Sequence, residues 1–109
     1  MLAWLFAGHM VGDYLLQTKW MALNKTTKLP ALLTHAAVYT AAMWIASLGA
    51  GGLGWLGLLL IFVSHGLLDT RKFVSWWCKY ITRSAPVMYL AMLTDQAWHI
   101  VVLMLVCLL

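Results

Sequence analysis

Apolar residues fill four stretches of this chain, at about 2–18, 30–48, 55–70 and 86–109, each near the length of a membrane-crossing helix. The first is short for a span, and Lys19 and Trp20 mark its end at an interface. A polar connection, Asn24-Lys25-Thr26-Thr27-Lys28, leads to Pro30, which suits the first turn of a new helix because its missing N–H has no partner there anyway. Gly49-Ala50-Gly51-Gly52-Leu53-Gly54 breaks the second helix without a single charge. Residues 71–84 follow another pattern: Phe73, Trp76, Trp77, Tyr80 and Ile81 recur at helical spacing, with Lys72, Ser75, Lys79 and Thr82 or Arg83 on the other side. That predicts an amphipathic helix lying in the membrane surface between the third and fourth spans. Pro86 opens the last stretch.

Composition strengthens this picture. Of 109 residues 64% are hydrophobic and only 9% charged, and mean hydropathy is +0.88. A soluble domain carries about 25% charged residues. These values exclude disorder and leave no material for a large extramembrane domain. The expected fold is therefore all-α, an integral membrane four-helix bundle in one domain, 1–109, with one interfacial helix. The N-terminal stretch lacks a basic region and a small-residue cleavage site, so it reads as part of the mature protein.

Charge adds orientation. The seven bases fall in the first and third connections, and the glycine-rich second connection has none. The positive-inside rule puts both basic connections in the cytoplasm. The expected location is the bacterial inner membrane, multi-pass, with both termini periplasmic. The net charge of +4 then reports orientation and contact with anionic lipid, not nucleic acid. Lys25, Lys28, Lys79 and Arg83 read as topology determinants. Cys78 and Cys107 show no metal-binding spacing.

The acids and histidines carry the candidate chemistry. His9, Asp13 and Gln17 stand four apart on the first helix, drifting only about 40° per step, so they are expected on one face. His65 and Asp69 repeat the pair, Asp95 and His99 reverse it, and His35 stands alone on the second span. Helical rise puts all of them in the cytoplasmic half or near the midplane, where a bundle can bring them together. Ionisable groups are costly in lipid, so three readings compete. Imidazole and carboxylate at one-turn spacing suit a divalent metal, with His9, Asp13, His35, His65, Asp69, Asp95 and His99 as ligands. The same groups can form a proton or ion relay. They can also be hydrogen-bonded glue between helices. Three matched pairs favour the metal, since Ser, Thr or Asn would make cheaper glue. Zinc or a similar divalent ion is expected, about one or two per chain.

The pattern His9-x3-Asp13-x2-Leu16-Gln17, Asn24-Lys25, His35, His65-x3-Asp69-x2-Lys72 and Asp95-Gln96-x2-His99 resembles a family of small bacterial and phage inner-membrane proteins of unknown function. That resemblance covers nearly the whole chain and implies a four-span fold. A more distant similarity is to YdjM-type membrane-bound metal-dependent hydrolases, and through them to zinc phospholipase C and P1 nuclease. Those enzymes use His-x3-Asp pairs around clustered zinc. Here His9/Asp13 and His65/Asp69 match, the reversed Asp95/His99 pair departs, and Trp4 is not N-terminal. The similarity implies hydrolysis of a phosphoester, on a lipid or lipid-linked substrate. The metals would polarise the phosphoryl oxygens, Gln17 and Gln96 would orient ligands or water, and Lys72 or Arg71 would bind the substrate phosphate. The alternative is a non-enzymatic membrane protein. It would be a metal or proton conduit, or a phage-type accessory protein with a structural His/Asp metal site. Oligomerisation is left open.

Overall fold

The computed structural model describes every residue, Met1–Leu109, and the chain is all-helical. Six α-helices follow in order: α1 Leu2–Met10, α2 Lys19–Asn24, α3 Leu29–Ser47, α4 Trp55–Asp69, α5 Lys72–Tyr80 and α6 Met88–Val106. Helix α1 runs straight into a π-helical turn, Val11–Leu15. There the Leu16 N–H reaches back five residues to the Val11 carbonyl, 2.9 Å away. The chain leaves helical geometry at once, and Thr18 caps α2 by accepting from the Met21 N–H at 3.3 Å. Two expectations change here. Residues 19–24 form a helix where only an interface and a polar connection were expected. Gln17 lies beyond the last turn, so it does not continue the His9–Asp13 face. The widened turn at Asp13 and the early helix end remove the regular spacing that the face requires.

Helices α1, α3, α4 and α6 close into a ring, each against its neighbours, with α1 completing the circuit against α6. Helix α2 lies on α3, while α5 lies on α4 and α6. Close approach of α1 and α3 depends on two glycines one turn apart. A Cβ on Gly8 would stand 2.9 Å from the Ala46 Cβ, and one on Gly12 would stand 2.8 Å from the Tyr39 Cδ2. The glycine connection turns through Gly51 and Gly52, both at positive φ. The Ser47 hydroxyl accepts from the Leu53 N–H at 3.0 Å and ties this turn down.

The burial pattern combines an apolar core with a buried polar layer and a largely apolar outer surface. Leu5, Tyr39, Met43, Ile61, Leu103 and Val106 form a small apolar core toward the glycine-connection end. One helical turn further in each ring helix comes a buried histidine: His9 after Leu5, His35 before Tyr39, His65 after Ile61, His99 before Leu103. Large apolar side chains cover the outside, among them Trp55 (77% exposed), Leu67 (64%) and Met88 (87%). On α5 the buried pair is Val74 and Cys78, and its aromatic stripe of Phe73, Trp76 and Tyr80 faces outward. Trp98 stacks edge-on against Phe73 and Trp77, with ring centres 5.0 Å apart in both cases, so it is a packing residue. Both cysteines are free.

Two segments are long and apolar enough to cross a membrane, Leu29–Ala50 and Met88–Val106. Helix α4 has 15 residues, a length of about 22 Å against a hydrocarbon core of about 30 Å. The regular part of α1 has only 9 residues. Four full-length spans are therefore not what the helix lengths provide.

A candidate metal centre

Seven ionisable side chains meet in the layer beneath the apolar core: His9, Asp13, His35, His65, Asp69, Asp95 and His99, all buried. Two groups within it have the composition and spacing to hold a metal ion. One is Asp13, His35, His65 and Asp69; the other is Asp69, Asp95 and His99. In each group the donor atoms lie within 4.8 Å of one another.

The first group alternates imidazole and carboxylate. The His35 Nε2 stands 3.0 Å from Asp13 Oδ1 and 3.0 Å from Asp69 Oδ2. The His65 Nε2 approaches the same two oxygens, at 3.5 and 3.0 Å. Two nitrogens thus converge on two oxygens. An imidazole Nε2 offers one proton at most, so His35 can satisfy one carboxylate well and not both. The His65 Nε2 and the Asp69 Oδ2 are buried, and the close nitrogen–oxygen contacts they make do not have hydrogen-bond geometry. Four ligands about 2.0–2.1 Å from a tetrahedral ion stand about 3.3–3.4 Å apart. Three of the four nitrogen–oxygen separations are shorter than that value and one is longer, and all four donors lie within 4.8 Å of one another, so the group could close on a small cation.

Asp69 turns its other oxygen to the second group, with Oδ1 3.4 Å from the His99 Nε2. The tautomer of His99 follows from its other nitrogen. Its Nδ1 is 2.7 Å from the Asp95 carbonyl oxygen, which can only accept, so Nδ1 carries the proton. In a neutral ring the Nε2 lone pair then faces a carboxylate. That contact is repulsive unless a cation lies between them or the ring is charged. The His99 Nε2 and the Asp95 Oδ1 are likewise buried without a hydrogen-bond partner.

His9, expected as a ligand, falls outside both groups. Gln96 Oε1 accepts from its Nε2 at 2.8 Å, so Nδ1 is the acceptor for the Tyr39 hydroxyl at 2.7 Å. Gln96 passes the chain on, donating from its Nε2 to Asp95 Oδ2 at 3.4 Å. The residues expected to orient ligands thus divide. Gln96 joins His9 to Asp95, while the buried Gln17 Oε1 has no partner. Tyr39 is a site neighbour that the sequence pattern did not single out. It stacks on His65 with ring centres 3.7 Å apart and holds His9. Its position four residues after His35 repeats the one-turn spacing of the other pairs, which was the signal available in the sequence.

The basic residues also redistribute. Arg71 and Lys72 are exposed and make no ion pair. Lys25, read as a topology determinant, is the cation that reaches the cluster. Its Nζ is 3.3 Å from Asp69 Oδ2, with the side chain 10% exposed. Helix α2 brings it there; of the two lysines in this connection, Lys25 and not Lys28 belongs to the Asn24-Lys25 part of the family pattern.

Beside the ligands lies a small cavity of ≈ 10 Å³, walled by Tyr39, Ser64, His65, Leu68, His99 and Val102. A space of that size admits about one water.

No curated protein and no solved structure matches the chain. No link to YdjM-type hydrolases is shown. One family model does match, over residues 1–109, and the chain belongs to that family, described as protein of unknown function (DUF3307).

Proposed function

We propose that this chain is a multi-pass protein of the bacterial inner membrane whose two-ion centre hydrolyses a phosphoester of a lipid or lipid-linked substrate. The observation that carries the proposal is the sharing of Asp69 between both ligand groups. A carboxylate with one oxygen toward each group can bridge two ions. Buried imidazole and carboxylate donors are a ligand set that suits zinc. Paired divalent ions would supply polarisation of the phosphoryl group and activation of water. The chain's own residues supply the setting. Asp13, His35, His65 and Asp69 would hold one ion, and Asp69, Asp95 and His99 the other. His9 and Gln96 fix the Asp95 carboxylate, and Tyr39 closes the apolar side against water. Lys25 supplies a positive charge beside the shared carboxylate.

The membrane setting draws support from the apolar outer surface and the polar interior. The long dimension of 42 Å is close to a full bilayer of about 40–45 Å. The shorter α1 and α4 would cross with local thinning of the bilayer. The basic connections set the centre in the cytoplasmic half, with both termini periplasmic.

The test is phosphorus NMR of an inner-membrane lipid extract incubated with zinc-loaded protein. A new phosphorus species should form with the parent and not with Asp69→Asn. An unchanged spectrum would refute hydrolysis. It would favour a second reading, in which the metal only braces the bundle. The small cavity beside His65 and His99 supports that reading, because no phosphoester fits it as it stands.

A further inference from the structure

Between α4, α5 and α6 runs an open groove of ≈ 470 Å³, lined by Leu67, Leu68, Phe73, Trp98 and Val102, with Lys72 as its one charged lining residue. That volume is within the about 300–1,000 Å³ of small-ligand sites. Its charge is one-sided. Lys72 and the adjacent Arg71 are exposed and pair with no acid, because all three acids of the chain lie in the buried cluster. The groove also has a shared wall. Ser64, Leu68 and Val102 line both it and the cavity beside His65 and His99. A molecule lying in the groove is thus separated from the ligand layer only by those side chains.

We infer that this groove binds one anionic phospholipid, with its phosphate against Lys72, Arg71 alongside, and an acyl chain along Leu67, Phe73 and Trp98. Apolar walls with one lysine match the division of a phospholipid into chain and headgroup, and a zwitterionic head gains less from Lys72. The inference deepens the membrane and metal-centre reading and rests on it: the groove is the lateral entry by which a lipid phosphoester comes up to the centre.

The experiment uses the full chain purified in detergent and mixed with equal amounts of dioleoylphosphatidylglycerol and dioleoylphosphatidylcholine. Native mass spectrometry counts the lipid retained, and metal content is measured on the same samples. The parent should retain one phosphatidylglycerol in preference to phosphatidylcholine. Lys72→Gln should lower that preference about fivefold, the effect of one basic residue near anionic lipid. Leu67→Trp fills the groove from its exposed side, where folding is least at risk, and should lower retention of both lipids. Equal retention of the two lipids by the parent would overturn the inference. So would an unchanged preference in Lys72→Gln, or full retention in Leu67→Trp. A metal-free parent that still prefers phosphatidylglycerol would uphold the groove and count against the centre alone. Normal metal content without lipid preference would do the reverse.

Discussion

Replacing Lys25 by Met should destabilise the metal-free protein strongly and the metal-loaded protein hardly at all. The Lys25 ammonium is 3.3 Å from Asp69 Oδ2. At an effective dielectric of 20 their attraction is about 5 kcal/mol. Part of that only offsets the loss of hydration on burial, and removing one member of a buried pair costs about 3–5 kcal/mol. Methionine keeps most of the apolar stem, so little packing is lost. His35 and His65, each 3.0 Å from the same oxygen, remain to share its charge. The expected loss in chelator is therefore near the lower end, about 3 kcal/mol. With zinc bound, the ion neutralises the carboxylates and the ammonium opposes it. The difference should then fall below about 1 kcal/mol or change sign. Unfolding of parent and variant in detergent, followed by circular dichroism with chelator and with zinc, measures both. Equal stability in chelator would refute the ion-pair role, and an equal loss with and without zinc would refute the competition with metal.

Gly12→Ala should cost about 1–3 kcal/mol, since its Cβ would sit 2.8 Å from the Tyr39 ring, and thermal unfolding would show the loss. Tyr39→Phe removes only the hydroxyl on His9 and should cost about 1 kcal/mol, read the same way. Gly51→Cys should react with an impermeant thiol reagent from the periplasmic side; labelling from the cytoplasm alone would reverse the proposed orientation.

The helical class and the convergence of polar residues could be read from the sequence because both follow from spacing. One-turn His/Asp pairs share a face wherever the helix is regular, and His65–Asp69 does so with 3.0 Å between Nε2 and Oδ2. What could not be read depends on tertiary contact. The π-helical turn at Val11–Leu15 has no proline to announce it, and it removes Gln17 from the face of Asp13. The exclusion of His9 from the ligand groups is decided by Tyr39 and Gln96, 30 and 87 residues away. Lys25 resembles any interfacial lysine until α2 folds back on α3 and brings it to Asp69. Helix ends set the limits on the spans: the apolar run past Trp55 stops at Asp69, since Arg71 takes a left-handed conformation that no α-helix continues through.

Metal content of the purified protein, measured by elemental analysis, tests the centre most directly. The parent should carry about two divalent ions per chain, Asp95→Asn about one, and Asp69→Asn close to none, because Asp69 alone belongs to both ligand groups. A parent that purifies metal-free, takes up no zinc on reconstitution and is no more stable with it would contradict the metal centre. The seven buried groups would then have to be read as a hydrogen-bonded relay or as interhelical glue.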